Sequence, residues 1–584
     1  MGDYLLVCCT SRAEASGRLS AELRQRAQEA GCSIRDLNAH AWLAVRGPHP
    51  PKTLLVGAWI LVGDVFHRRS PDLPWTSPDD PWAFERKMTA RFWGRFIGVR
   101  FSGDQLSALF RDPSGAMECV AWTQEGLTLV CSSAPDWLLE RLRPPWRINV
   151  RRLAQALHDP VATTGSLFID GPVALEPGAV QPLPLDEPPE AVWRPAAFAR
   201  RSLDRPPPIE EAASDVCAAI DEAVSGLAGA SGPIASEVSG GLDSSVVAAS
   251  LVHCAPGAVH LWLNLYGTTP ESDERVYVAA LARTLNIAPT SVPHAAGVLS
   301  ETGLNAISRG FRPGLNALDR PHNMDWARRA TAAGVTAVMT GKGGDSILLQ
   351  RATADIFDDL WHAHGWRALL APDVLELAAA NEISIWSMIQ QARRRAREPY
   401  HPPARSHPLL SPLSSPPARH PWLTGCEAFG PAKAFQIAGV ADNVSRHGPS
   451  ALTDAVDVRH PLCAQPVIEA CLALPTPLLT IGGRDRGLVR HAFRDRLPVE
   501  ILERRSKGDM TRVYGRMILE SLDVLKPWLI DGRLAALGLI DRKAAETELD
   551  RDTLVWRGRF STIMVAAAFE GWLRAWERRL GPAG

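Results

Sequence analysis

The sequence predicts an α/β protein in two parts: a β-rich region over residues 1–205, then a doubly wound parallel sheet over residues 206–584 whose carboxyl-terminal part turns helical. Three observations carry this. Short apolar runs separated by Gly, Pro and Asp turns fill about the first 200 residues. A Pro-rich stretch, Pro172 to Pro189, ends at Pro206, Pro207 and Pro208 and reads as the exit from a first domain. From Ile209 onward apolar strands alternate with segments of helical spacing, the pattern of parallel strands joined by crossover helices.

Element by element, Tyr4 to Val7, Leu54 to Val62, Phe96 to Phe101, Ala108 to Phe110 and Leu127 to Cys131 read as strands, with helices at Glu14 to Ala30 and Pro81 to Phe92. In the second part Ile209 to Leu227 has helical spacing and Pro233 to Val238 is a short strand. Ser244 to Val252 is a small-residue helix, Ala258 to Leu265 a second strand, Asp273 to Leu285 a helix and Val335 to Thr340 a third strand. Further on, Val467 to Leu474 reads as a helix, and Gly483-Arg484-Asp485-Arg486 opens another that ends near Leu497-Pro498. Ahead of both, Arg397 to Pro421 holds eight prolines in 25 residues and predicts a loop, disordered or laid over the surface.

Composition narrows the function classes. The 584 residues carry 63 Lys+Arg against 64 Asp+Glu, so no overall field draws the protein to nucleic acid or an anionic membrane, and neither is expected as a partner. The longest apolar stretch is far short of the roughly 20 residues that cross a bilayer, and Met1-Gly2-Asp3 lacks the positive start of a secretory signal. A cytoplasmic protein is the expectation. Ten scattered cysteines without a CxxC read as reduced thiols rather than as a disulfide framework or a structural metal site.

Ser239-Gly240-Gly241-Leu242-Asp243-Ser244-Ser245 sits where a predicted strand ends and a helix begins. Two glycines let the backbone approach an anion, three serines add hydroxyls, and the helix start offers free N–H groups and a positive dipole end. The string reads as a pyrophosphate cradle. No Gly-Lys-Ser/Thr follows, so it is not a Walker A loop. A second glycine-rich loop, Thr340-Gly341-Lys342-Gly343-Gly344-Asp345, again follows an apolar strand. Alone it reads equally as a plain turn. Paired with the first, it places Asp243 and Asp345 across one crevice, where they can hold Mg²⁺ beside a triphosphate.

The first string resembles the PP-loop of the ATP pyrophosphatases, which split ATP between the α and β phosphates. Together with the second loop and the region Asp457 to Gly508, the order of blocks resembles the asparagine synthetase family. That resemblance implies ATP and Mg²⁺ as cofactors, with Ser239 to Ser245, Gly341, Gly343 and Gly344 at the nucleotide. It also implies Lys507 as the lysine that stabilises charge on the phosphate and the tetrahedral centre. Arg459 is expected to support the site, and Lys342 stands where asparagine synthetases have Glu and β-lactam synthetases Tyr.

The amino-terminal half resembles the family's glutaminase domain, an N-terminal-nucleophile α+β sandwich. Phe92-Trp93-Gly94-Arg95-Phe96 and Arg111-Asp112-Pro113-Ser114-Gly115 match its framework, and Gly63-Asp64-Val65-Phe66 looks like a degraded glutamine-binding turn. The chemistry needs a cysteine at the chain start whose own α-amine serves as base, and position 2 is Gly2. Within the family, His460-Pro461-Leu462, Gln465-Pro466-Val467, Leu478-Leu479-Thr480 and Gly483 to Arg486 look closer to lasso-peptide cyclases. The reading that follows is an ATP-dependent macrolactam synthetase. It would adenylate an Asp or Glu side chain of a precursor peptide and join it to the peptide's own amino terminus, with a leader-peptide protease as partner. An amide or β-lactam synthetase acting on a small amino acid is the alternative. The Pro-rich loop with Trp386 and Trp422 is a candidate surface for holding the peptide, or a variable loop with core tryptophans.

Overall fold

The computed structural model describes residues 2–581 except 12, 70–78, 162–164, 231, 268, 270–271, 296, 351, 396–406, 416–418, 446 and 506–510. Alternation along the first strand explains the amino-terminal architecture. In Asp3–Cys9, Tyr4, Leu6 and Cys8 point to one side and Leu5 and Val7 to the other, and both sets are buried. A strand buried on both faces lies inside a layered stack.

Asp3–Cys9 is central in a six-stranded antiparallel sheet with Leu127–Cys131 and Ala41–Arg46 beside it. A second six-stranded antiparallel sheet is built on Trp59–His67, Phe92–Ser102 and Gln105–Arg111. Their inner faces meet through Leu6, Val62, Ile97, Val99 and Leu109. Helix Glu14–Glu29 covers the outer face of the first sheet through Leu19 and Leu23, and helix Ala83–Arg91 that of the second through Met88. The predicted α+β sandwich is present. The run Leu54 to Val62 is not one strand but a hairpin, Thr53–Val56 and Trp59–His67, turning at Gly57.

The second part is a five-stranded parallel sheet in the order Thr290–Pro293, Val259–Tyr266, Ile234–Glu237, Ala337–Met339, Asp457–Arg459. Helices Ile209–Gly229 and Leu242–Cys254 cover the face that carries Ile234, Ala337 and Met339. Helices Arg320–Ala332 and Ala451–Ala455 cover the face that carries Ala235 and Val338. The order reverses between Ile234–Glu237 and Ala337–Met339, so the sheet is doubly wound with its switch point at the ends of those two strands. Both glycine-rich loops leave from there. Beyond the sheet the chain is helical, ending in Phe560–Leu580. No helix among the described residues is long and apolar enough to cross a membrane.

Two of the connections that join the parts stand out. Arg95, on Phe92–Ser102, makes a bidentate pair with Asp457 at 3.0 and 2.8 Å and also binds Asp64. Asp64 in turn sits 3.0 Å from His49 Nε2. The expected glutamine-binding turn Gly63 to Phe66 is therefore strand, and its acidic residue is spent on this buried network. The second connection is the last helix: Phe569, Trp572 and Trp576 pack on Phe168 and Trp146 beneath the first sheet. The Pro-rich loop falls partly outside the described residues; in the described part Pro408, Pro412, Ser414 and Arg419 are exposed. His407, Leu409, Leu410 and His420 are buried, and Leu410 bridges Ile540. All ten cysteines are free thiols, six of them buried.

Candidate active site

The cradle begins where Ile234–Glu237 ends. Gly240 has φ +78°, and a Cβ there would lie 3.0 Å from the Glu274 carbonyl, so the turn demands glycine. Ser239 Oγ and Ser244 Oγ lie 2.9 Å apart, the Ser239 N–H donates to Ser244 Oγ at 3.1 Å, and the Gly241 N–H donates to Ser239 Oγ. These bonds fix the loop and leave helix Leu242–Cys254 to start with its N–H groups toward the crevice. Ser239, Gly241, Asp243 and Ser244 line the cavity, whereas Ser245 is fully buried and donates to the Gly241 carbonyl at 2.8 Å. Leu242 anchors the loop in the core. Ser245 and Gly240 do not line the cavity and shape the turn instead. Arg504 holds it from outside, donating to the Gly240 carbonyl at 3.1 Å and stacking on Tyr277 at 4.0 Å.

The second loop lies directly against the first. A Cβ on Gly341 would fall 2.5 Å from the Ser244 nitrogen, and one on Gly344 would fall 2.4 Å from Asp243 Cγ. Gly343, at φ +98°, packs against Cys463. Gly344→Ala should therefore displace the Asp243 carboxylate while leaving an ordinary backbone conformation. We expect ATP-dependent AMP formation to fall by about 100-fold with thermal stability little changed, measured by nucleotide chromatography and a melting scan.

Asp243 and Asp345 converge on one group, the guanidinium of Arg486. Its Nη1 donates to both oxygens of Asp243 at 3.0 and 2.9 Å and to Asp345 Oδ1 at 3.0 Å. Its other nitrogens bind Asp485. Burial works against the charge of Arg486, but Asp243, Asp485 and Asp345 outweigh it and raise its pKa. Arg486 occupies the left-handed region at φ +53°, a strain of about 1–3 kcal/mol in a non-glycine residue that the surrounding structure must hold. Two carboxylates already facing one cationic nitrogen form an oxygen donor set that also suits a hard divalent cation. Asp243 and Asp345 are the residues that would hold Mg²⁺.

Lys342 lines the same cavity beside His447 and His460. Burial first, then the Lys342 charge, holds both rings well below the ordinary histidine range, so both are neutral. His460 Nδ1 is fixed 2.7 Å from Thr340 Oγ1. Arg459, expected to support the site, lies behind the cavity wall beside Val458 and His460. Its guanidinium is fully buried, bonds Asp457 at 2.7 Å and the Leu227 carbonyl, and does not reach the cavity wall. It positions the fifth strand. Lys507 lies outside the described residues. Trp422 is core, donating to the Pro177 carbonyl and packed on Trp193, while Trp386 is 71% exposed.

Arg486, Thr340, His447 and His460 line the cavity without having been given a role from sequence. Arg486, Thr340 and His460 each stand at the end of a quoted string; His447 carried no signal. The whole cavity is about 1810 Å³ and runs from the two glycine-rich loops to Gly2, Tyr4 and Arg46 of the first domain. A family model described as asparagine synthase matches residues 215–574, more than half of the chain and the part that holds both loops. No curated protein matches.

Proposed function

This chain belongs to the asparagine synthase family, and we propose that within it the protein is a macrolactam synthetase acting on a peptide. Its coarser activity, ATP-dependent formation of an amide bond, follows from the family. In the proposed reaction the side-chain carboxylate of an Asp or Glu in the peptide attacks the α-phosphorus of ATP. Pyrophosphate leaves, and the peptide's own amino terminus then attacks the activated carbonyl, losing a proton and releasing AMP.

The chain's residues divide the work by position. The N–H groups at the start of Leu242–Cys254 and the cradle of Ser239 to Ser244 meet the phosphates. Asp243 and Asp345 would hold Mg²⁺, which supplies positive charge to the triphosphate. Arg486, already seated between those carboxylates, keeps a fixed cation beside the departing pyrophosphate. Lys342 presents an ammonium where the carboxylate of the substrate would enter, and Lys507 is proposed for the developing charge on the α-phosphate.

Cavity size is the observation that carries the peptide reading. Pockets for small ligands span about 300–1,000 Å³, and a volume of about 1810 Å³ leaves room beside ATP for a folded peptide segment. Gly2 adds support: a Cβ there would fall 2.1 Å from the Arg46 carbonyl, so this position has no space for a nucleophilic side chain that would release ammonia. Closing a ring within one molecule replaces that second reactant by proximity. A leader-peptide protease is proposed to supply the free amino terminus.

The test is incubation with ATP, Mg²⁺ and a leader-processed peptide carrying an Asp or Glu in its ring-forming segment. Mass spectrometry should show loss of one water from the peptide, with AMP in equal amount. AMP formed with a free amino acid, and none with peptide, would overturn the macrolactam reading in favour of a small-molecule amide synthetase.

A further inference from the structure

On the same edge of the parallel sheet, away from the two carboxylates, lies a polar cluster that none of the chemistry above uses. His294 follows the edge strand Thr290–Pro293. Asp319 and His322 stand at the start of helix Arg320–Ala332, where Asp319 is the N-cap. His294 and Asp319 are 9% and 7% exposed. One ligand atom from each of the three residues lies within 4.8 Å of the other two.

The bonding of this cluster is incomplete. Asp319 Oδ1 accepts the capping bond from the His322 N–H at 3.4 Å, which turns Oδ2 toward His294 Nε2 at 3.0 Å. His294 Nδ1 and His322 Nδ1, both buried, make no hydrogen bond. The two imidazoles stack at 4.5 Å, inclined by 18°. Buried polar atoms without partners are costly to fold. Two such nitrogens beside a buried carboxylate, on residue types that ligate metals, make this cluster a donor set for a divalent ion.

We propose that His294, Asp319 and His322 bind a divalent transition metal of the Zn²⁺ class. Two imidazoles and one carboxylate are the ligand set such ions favour over Mg²⁺ or Ca²⁺. Metal–ligand bonds of about 2.0–2.2 Å require the three atoms to draw somewhat closer, a movement that side-chain rotation supplies. The ion would tie the end of the edge strand to the helix start. Asp319 and His322 lie on the cavity wall, so it would brace that wall from behind. The other close grouping of such residues, His49, Asp64 and Asp457, is already filled by the guanidiniums of Arg95 and Arg459.

The test uses full-length protein stripped with a chelator and titrated with Zn²⁺ against a chromophoric chelator, then with Co²⁺ followed by visible absorption. One Zn²⁺ per chain at submicromolar affinity and a Co²⁺ spectrum of a low-coordinate site are expected. Asp319→Asn keeps the capping oxygen but not the charge, and should weaken Zn²⁺ by at least about tenfold. His294→Ala with His322→Ala should abolish uptake. Metal-free melting of Asp319→Asn should match the parent, separating lost ligation from lost fold. Absence of stoichiometric uptake, or uptake unchanged in these variants, would overturn the site.

Discussion

An Asp243→Ala protein should fold as the parent does and form no measurable AMP. The carboxylate faces Arg486 in partnership with Asp345, and it is the closer of the two to the start of the cradle helix. Its removal takes away one of two oxygen donors for the divalent cation and frees Arg486 to close on Asp345 and Asp485. Loss of a single preorganised electrostatic group at a reacting centre costs about 10²–10³ in rate; loss of the metal position adds to that. The fold is spared because Arg486 keeps two carboxylate partners. AMP production measured by chromatography, beside a melting scan, checks both halves. Undiminished AMP formation would refute the role given to Asp243.

The largest stability effect should come from Asp457→Ala. Asp457 is fully buried and shared by Arg95 from the first domain and Arg459 on its own strand. Deleting one member of a buried ion cluster costs about 3–5 kcal/mol, because the remaining charges lose their compensation. Here Arg95 and Arg459 would lose the carboxylate they share, Arg95 keeping Asp64 and Arg459 the Leu227 carbonyl. Denaturant midpoints would register this, and Asp457→Leu combined with Arg95→Met should recover part of it. The same network sets an acid limit. Burial raises the Asp64 carboxyl, but the His49 bond and Arg95 outweigh it and bring it down to about 2, and Asp457 is held well below the usual range mainly by Arg95. Folded values below unfolded ones mean stability present above the unfolded pKa of about 3.9 and lost as pH falls from there toward 2. The acid-unfolding profile of Asp457→Ala should be correspondingly shallower.

The cradle was legible because its information is local: glycines and serines between an apolar strand and a helix specify the turn from within seven residues. Arg486 was not legible as the partner of Asp243, which stands 243 positions away, since only tertiary folding brings them together. Two strands of the parallel sheet escaped for related reasons. Asp457–Arg459 has two charged residues of three, stabilised by each other and by Arg95 rather than by apolar burial. Thr290–Pro293 is an edge strand with little burial to mark it. Conversely Leu54 and Leu55 are exposed, so the apolar run Leu54 to Val62 overstated its burial and concealed the hairpin. His294, Asp319 and His322 carry no spacing signature, because one ligand comes from a strand end and two from the first turn of a helix.

The packing of Phe560–Leu580 beneath the first sheet has a consequence for dissecting the chain. The outer face of that sheet is covered in part by Glu14–Glu29, but Trp146 and Phe168 meet Phe569, Trp572 and Trp576 of the second part. Residues 1–205 made alone would leave those rings in water as a surface prone to association, so at this face the two parts share one core.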